Sequence, residues 1–347
     1  MKRILVCMSV IGLCVCVSSC AQKTDVDPQS VIKKMMAQES QLDYSGTKVV
    51  TQHIKGLPFS VTLDILREHP DKLRFTFIDP PEMNGKECIK IGDNFWRIKD
   101  DRPHHRKHFK FHRIFKNFQI RNLNLLLKNF SLRYIGTENV AGRPCYVISV
   151  TPKSRSPLWR KLWIDKKHYL TLRSDEFYKT WGRSKPLSIF TFTKINYAPT
   201  FKKDTFTVPI DEGAKSIITE SSRENVTLKQ ASRRINVPIY LPTHIPRGYE
   251  RDELQIYQRD KKEFLHVLYS NGLSTISLFQ GKMTGHHKKW LKQLKGKQPQ
   301  DGVTYRMKKG MLTILNKKEG PTNITLMGKI PTSKLEKMFS SLKKVEK

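Results

Sequence analysis

Acidic residues are scarce in this chain. Its 347 residues hold 31 Asp and Glu against 64 Lys and Arg, a formal charge of +33. Such an excess calls for a polyanionic partner: nucleic acid, anionic lipid headgroups or an acidic protein surface. Cysteine is sparse, six in all, and three of these lie in the first sixteen residues. Catalytic signatures are missing as well. There is no GxSxG, HExxH, CxxC, GxGxxG or Walker loop, so the chain carries no local mark of a serine hydrolase, zinc peptidase, dinucleotide enzyme or P-loop NTPase. Ser-x-x-Lys matches such as Ser30 to Lys33 and Ser340 to Lys343 are what chance places in so lysine-rich a chain, and neither has partner motifs. The reading is a non-enzymatic protein with no cofactor and no metal. What is present suffices for packed cores: 38% hydrophobic and 10% aromatic residues, in a length that suggests two domains.

The one long apolar run stands at the start. MKR precedes ILVCMSVIGLCVCV, which is short for a membrane span and reads as a signal peptide. It ends VSSC, with Val17, Ser18 and Ser19 before Cys20. This resembles the bacterial lipobox, which implies a signal of residues 1–19, lipidation of Cys20 and a polar tether over 20–30. The expected location is the periplasm, with a lipid anchor in a bacterial membrane. In a Gram-negative cell, Ala21 after the lipidated Cys permits sorting to the outer membrane. Genomic nucleic acid lies on the other side, so it drops out as a partner. Cleavage leaves Cys88 and Cys145 besides Cys20. An oxidising compartment invites a disulfide between them, although both sit in apolar strand-like runs where a buried thiol is common.

Along the chain, Ile32, Met35, Met36 and Leu42 fit one face of a short helix. Runs such as YSGTKVVTQHI, FSVTLDILREH, DKLRFTFIDP, ECIKI and NFWRI are rich in β-branched and aromatic residues and bounded by Gly, Pro or Asp. That spacing predicts an antiparallel meander. IRNLNLLLKNF is helix-like, and strands resume with SLRYIGTENV, PCYVISVTP, WRKLWID, LTLRSDEFY and LSIFTFTKINY. Within the last group, Asp165, Asp175 and Glu176 have no nucleophile beside them. They read as strand-end acids that face solvent or pair with Lys and Arg. The polar stretch 204–236 is the expected linker between units spanning 31–203 and 237–347. The second unit has six more strands and a closing helix, with Ser333 and Glu336 as a capping box and Leu335, Met338, Phe339 and Leu342 as its apolar stripe.

The first unit resembles the RseB/MucB N-terminal domain in YSGTKVV, DKLRFTFIDPPE, IGDNFWRI, AGRPCYVISVTPK and LWIDKKHYLTLRSDEFYKTWGRSKPLSIFTFTKINY. The second is similar to the RseB C-terminal domain in LPTHIPRGYE, YSNGLSTISLFQG and MGKIP…LEKMFSSLKK. The resemblance implies an α+β protein: a curved, unclosed antiparallel β-barrel of LolA type with covering helices, followed by a smaller α+β domain. It also implies regulation in envelope stress, by holding the periplasmic part of an anti-sigma factor and releasing it on sensing lipid. The lipid anchor and the strong basic charge depart from the family pattern.

Phe75, Phe77, Trp96, Trp163, Phe190 and Phe192 are the candidate lining of an acyl-chain pocket, or the filling of a sealed core. HHRKHFKFH places His108 and His112 at metal-binding spacing if helical, but six basic residues around them repel a dication. The segment reads better as a basic loop on a membrane or lipopolysaccharide surface, with Lys107, Lys110, Arg113 and Lys116 facing anionic headgroups. A second basic patch, GHHKKWLKQLKGK, fits an interfacial helix or one docked on the domain. The alternative to a regulator is a structural or polyanion-binding surface lipoprotein.

Overall fold

The computed structural model describes residues 26–54, 57–92, 94–98, 120, 122–154, 156–180, 182–208, 219–259, 262–282, 305–309 and 312–346. Cys20, Lys107, Lys110, Arg113, Lys116, the four histidines of 104–112 and the basic patch 285–297 lie outside the described residues.

The chain opens with helix α1 (Pro28–Gln38), whose start follows from its sequence. Asp27 accepts hydrogen bonds from the Gln29 and Ser30 amides at 3.1 and 2.9 Å, and Pro28 follows with its fixed φ. Ten strands then build the first unit. They are β1 (Tyr44–Ile54), β2 (Leu57–Glu68), β3 (Lys72–Asp79), β4 (Glu87–Ile91) and β5 (Asn94–Ile98). After helix α2 (Leu123–Asn129) come β6 (Phe130–Val140), β7 (Arg143–Pro152), β8 (Leu158–Asp165), β9 (Thr171–Thr180) and β10 (Arg183–Asn196). All neighbours are antiparallel, in the order β6-β7-β8-β9-β10-β1-β2-β3-β4-β5. Among the described residues β5 and β6 do not pair, so the curved sheet stays open. α1 packs Val31, Ile32 and Met35 onto Ile148, Leu162 and Ile164 of the sheet.

The second unit holds β11 (Thr219–Asn225), α3 (Leu228–Arg234), β12 (Tyr240–Pro242), β13 (Glu250–Arg259), β14 (Lys262–Ser270) and β15 (Thr275–Lys282). It continues with β16 (Tyr305–Lys309), β17 (Leu312–Glu319), β18 (Thr322–Gly328), α4 (Thr332–Ser340) and β19 (Leu342–Lys344). Its main sheet runs β11-β13-β14-β15-β18-β17-β16, with α4 burying Leu335, Met338 and Phe339 beneath it. α4 begins two residues earlier than expected. Pro331 is its N-cap with no side-chain cap bond, so the Ser333–Glu336 capping box does not form.

Strand β11 lies within the stretch read as a linker, and it stitches the two sheets together. Thr219 to Ser221 pair with Arg97 to Phe95 of β5, while Ser221 to Asn225 pair with Arg259 to Gln255 of β13. The sheets therefore form one continuous antiparallel surface.

Candidate functional site at the seam of two sheets

Away from β11 the two units meet a second time, through polar groups. Leu158, Arg160 and Leu162 point to one side of β8, and Arg160 is fully buried between two leucines. Its cross-strand partner on β9 is Glu176, also buried. The Arg160 guanidinium donates to Glu176 Oε1 at 3.2 Å and to the Leu273 carbonyl of the second unit at 3.4 Å. Lys329, just past β18, reaches back to Glu176 Oε2 at 2.5 Å. Burial alone would raise the Glu176 pKa, but Lys329 and Arg160 outweigh it and hold the carboxyl below its usual range. The result is a charge triad shared by both units.

The seam is tight around this triad. Asn129, ending α2, donates its side-chain amide to the carbonyls of Gly248 (2.9 Å) and Asn271 (3.2 Å). Leu273 sits in the first unit's core with Ile32, Leu126 and Phe130. Gly272 has φ +91°, and a Cβ there would fall 2.5 Å from the Leu126 amide nitrogen. Only glycine allows that approach.

The other acids of the quoted strands are likewise structural. Asp165 is buried, bonded to Arg143, and caps its own turn by accepting from the Lys167 and His168 amides at 2.8 Å each. Asp175 is buried against Arg173 at 2.7 Å. These carboxylates pair as expected, but all three are buried where solvent exposure was the other expectation. Cys88 and Cys145 are both buried thiols, and no disulfide joins them. They stand on β4 and β7, with six strands between them along the sheet, and the possible bridge between them is not formed. Burial pushes the Cys145 thiol up to about 12, which leaves it unreactive.

Strand register divides the six candidate lining residues. Phe77 aligns with Leu63, Lys48 and Phe192, and Phe190 with Val50 and Val61, while Phe75 pairs with Ile65. These four phenylalanines share one face and are 0–3% exposed. Trp163 pairs with Arg173, which pairs with Thr191, so register turns it away from Phe190 although it belongs to the same buried cluster as the four phenylalanines. It is covered by Arg173 and Lys161 and donates Nε1 to Glu138 at 2.7 Å. Trp96 is half-buried and aligned with Ile89 and Arg74, also away from Phe75.

Sequence reasoning missed Lys48. It lies among these phenylalanines, with its ammonium 3.9 Å from the Phe190 ring centre and 5.0 Å from that of Phe192. Burial lowers its pKa to about 8, partly offset by the Glu39 charge. A charged residue at an apolar position of an alternating strand was the available signal, as it was for Arg160.

The matches to known proteins agree with this architecture. A family model described as the MucB/RseB N-terminal domain matches residues 27–210, more than half of the chain. The chain belongs to the MucB/RseB family. Solved MucB structures share the fold of this family member across both units. A Pseudomonas aeruginosa MucA/MucB complex superposes with a TM-score of 0.59 at 17% identity, covering 93% of this chain and 100% of that one. MucB in complex with MucA(peri) gives 0.59 and 17%, over 92% and 100%. A crystal structure of MucB gives 0.59 and 16%, over 92% and 98%. No curated protein sequence matches the chain.

Proposed function

We propose that this protein is a non-enzymatic envelope binding protein that holds the periplasmic segment of an anti-sigma factor. The observation that carries the reading is family membership over 27–210 together with a MucB-like fold through both units, in a fold also solved with MucA bound. The site chemistry fits it: Asp165, Asp175 and Glu176 are each tied to a cation. In this reading Cys20 carries a lipid anchor that keeps the protein at a membrane, and an acyl ligand on the Phe75, Phe77, Phe190 and Phe192 face weakens the hold on the partner. Lys107, Lys110, Arg113 and Lys116 supply contacts to anionic headgroups.

A second reading, a surface lipoprotein that binds polyanions such as lipopolysaccharide without signalling, is favoured by the +33 charge and by how fully the phenylalanine face is buried. Protease protection separates the two. The purified chain should shield an anti-sigma periplasmic segment from the same genome against digestion. A segment digested at the same rate with and without the chain rejects the regulator.

A further inference from the structure

The outer face of the first unit carries a groove that the proposed function leaves unused. It spans the end of β7, Ser154, Ser156 and Pro157, the start of β8, and Lys179 and Ser184 on β9 and β10, with a volume of about 660 Å³. That lies within the range of small-ligand sites, about 300–1,000 Å³. Register puts its strand residues on one face: Ser149 aligns with Lys161, two residues beyond Trp159, and Lys179 aligns with Ser184. This is the face opposite Arg160, so the groove is separate from the seam triad.

Trp159 is fixed in place on two sides. Its ring stacks on Phe177 with centres 4.2 Å apart and planes 13° from parallel, and its Nε1 donates to Ser184 Oγ at 3.1 Å. Around it stand Ser149, Thr151, Ser154 and Ser156, whose side-chain hydroxyls make no hydrogen bond among the described residues. Among the described lining residues there is one cation, Lys179, and no carboxylate.

Each of these features narrows the ligand. An alkyl chain would desolvate four hydroxyls without pairing them, at a cost of about 1–3 kcal/mol for each group left unmet. Among the described lining residues a cation would find no carboxylate, and a strong anion one charged donor. Hydroxyls both donate and accept, so they are matched by a ligand whose own groups do the same. A rigid aromatic ring beside them suits a ligand with an apolar C–H face. Sugar rings present both properties at once. We propose that this groove binds an uncharged saccharide.

The test uses the full mature chain, titrated with triacetylchitotriose and with maltotriose, followed by tryptophan fluorescence and amide chemical shifts. At least one trisaccharide should saturate with a Kd of about 1 mM or tighter. The affinity should be unchanged between about 0.1 and about 1 M salt, because no ion pair is formed. Trp159→Ala should weaken binding at least tenfold, and Ser149→Val and Thr151→Val severalfold. Because Trp159 also packs on Phe177, circular dichroism must show each variant folded; the two hydroxyl variants keep the test decisive if Trp159→Ala does not fold. Failure of both sugars to saturate, binding that survives in the folded variants, or salt-sensitive binding confined to a sulfated control oligosaccharide would overturn the assignment.

Discussion

Glu176→Gln is the perturbation that probes the seam most sharply. The change keeps shape but removes the negative charge shared by Arg160 and Lys329. Arg160 is 0% exposed, so it would stay buried beside a neutral amide. Removing one partner of a buried pair costs about 3–5 kcal/mol, chiefly because the remaining charge is uncompensated. Lys329→Met should cost less, about 1.5 kcal/mol, because that side chain is 23% exposed and Glu176 keeps Arg160. Replacing all three by Met, Leu and Met should recover most of the loss, since a buried ion pair is seldom more stable than a well-packed apolar set. The pH dependence has a defined sign. Glu176 has a folded pKa below its unfolded value of about 4.5, so its contribution is fully present above that value. It is lost as pH falls through the folded value. The parent should therefore lose stability in acid and Glu176→Gln should lack that portion of the loss. Urea unfolding followed by both fluorescence and circular dichroism is the assay, because a chain of two units need not unfold in one step. A Glu176→Gln variant within about 1 kcal/mol of the parent at pH 7 would refute the reasoning, because a solvated triad is the case in which charge removal costs so little.

Three further outcomes are expected. Lys48→Met should stabilise the protein at pH 7 by about 1–2 kcal/mol, since desolvation of the ammonium outweighs its attraction to Phe190 and Phe192. The folded pKa near 8 lies below the unfolded 10.5, so the penalty is full below pH 8 and fades as pH rises to 10.5; a gain that does not shrink over that window contradicts the assignment. Gly272→Ala should loosen the seam and cost more than about 3 kcal/mol, because its Cβ would strike the α2 backbone at 2.5 Å in a left-handed conformation; a neutral result in denaturant unfolding would show that the units are not held there. Metabolic labelling with a palmitate analogue should mark the protein through Cys20, and equal labelling of Cys20→Ser would exclude that anchor.

Much of the strand framework was legible in the sequence because it rests on local patterns. Alternation marks β7 and β8 through Cys145, Val147, Leu162 and Ile164, and the apolar spacing of Leu335, Met338 and Phe339 marks α4. Pairing across long separations was not legible. Nothing in TESSREN foretells a strand that joins β5 to β13, because its polar residues encode no buried face. The aromatic lining was only half readable. Alternation within a strand says which residues share a face there, but relating Trp163 to Phe190 needs the register of three strands. Arg160 and Lys48 broke the pattern visibly, each a cation in an apolar row. Such breaks mark buried charge, but its partner, Lys329 for the triad, comes from a part of the chain 153 residues away from Glu176.

Isothermal titration calorimetry with the full mature chain and the periplasmic segment of an anti-sigma factor from the same genome tests the central claim most directly. The account predicts a saturable one-to-one complex with a Kd below about 10 µM. It should persist at high salt, because a specific docked interface is not held by screened charge alone. Heat that fails to saturate, or binding that disappears as salt rises from about 0.1 to about 1 M, would contradict it and leave the protein a non-specific polyanion binder.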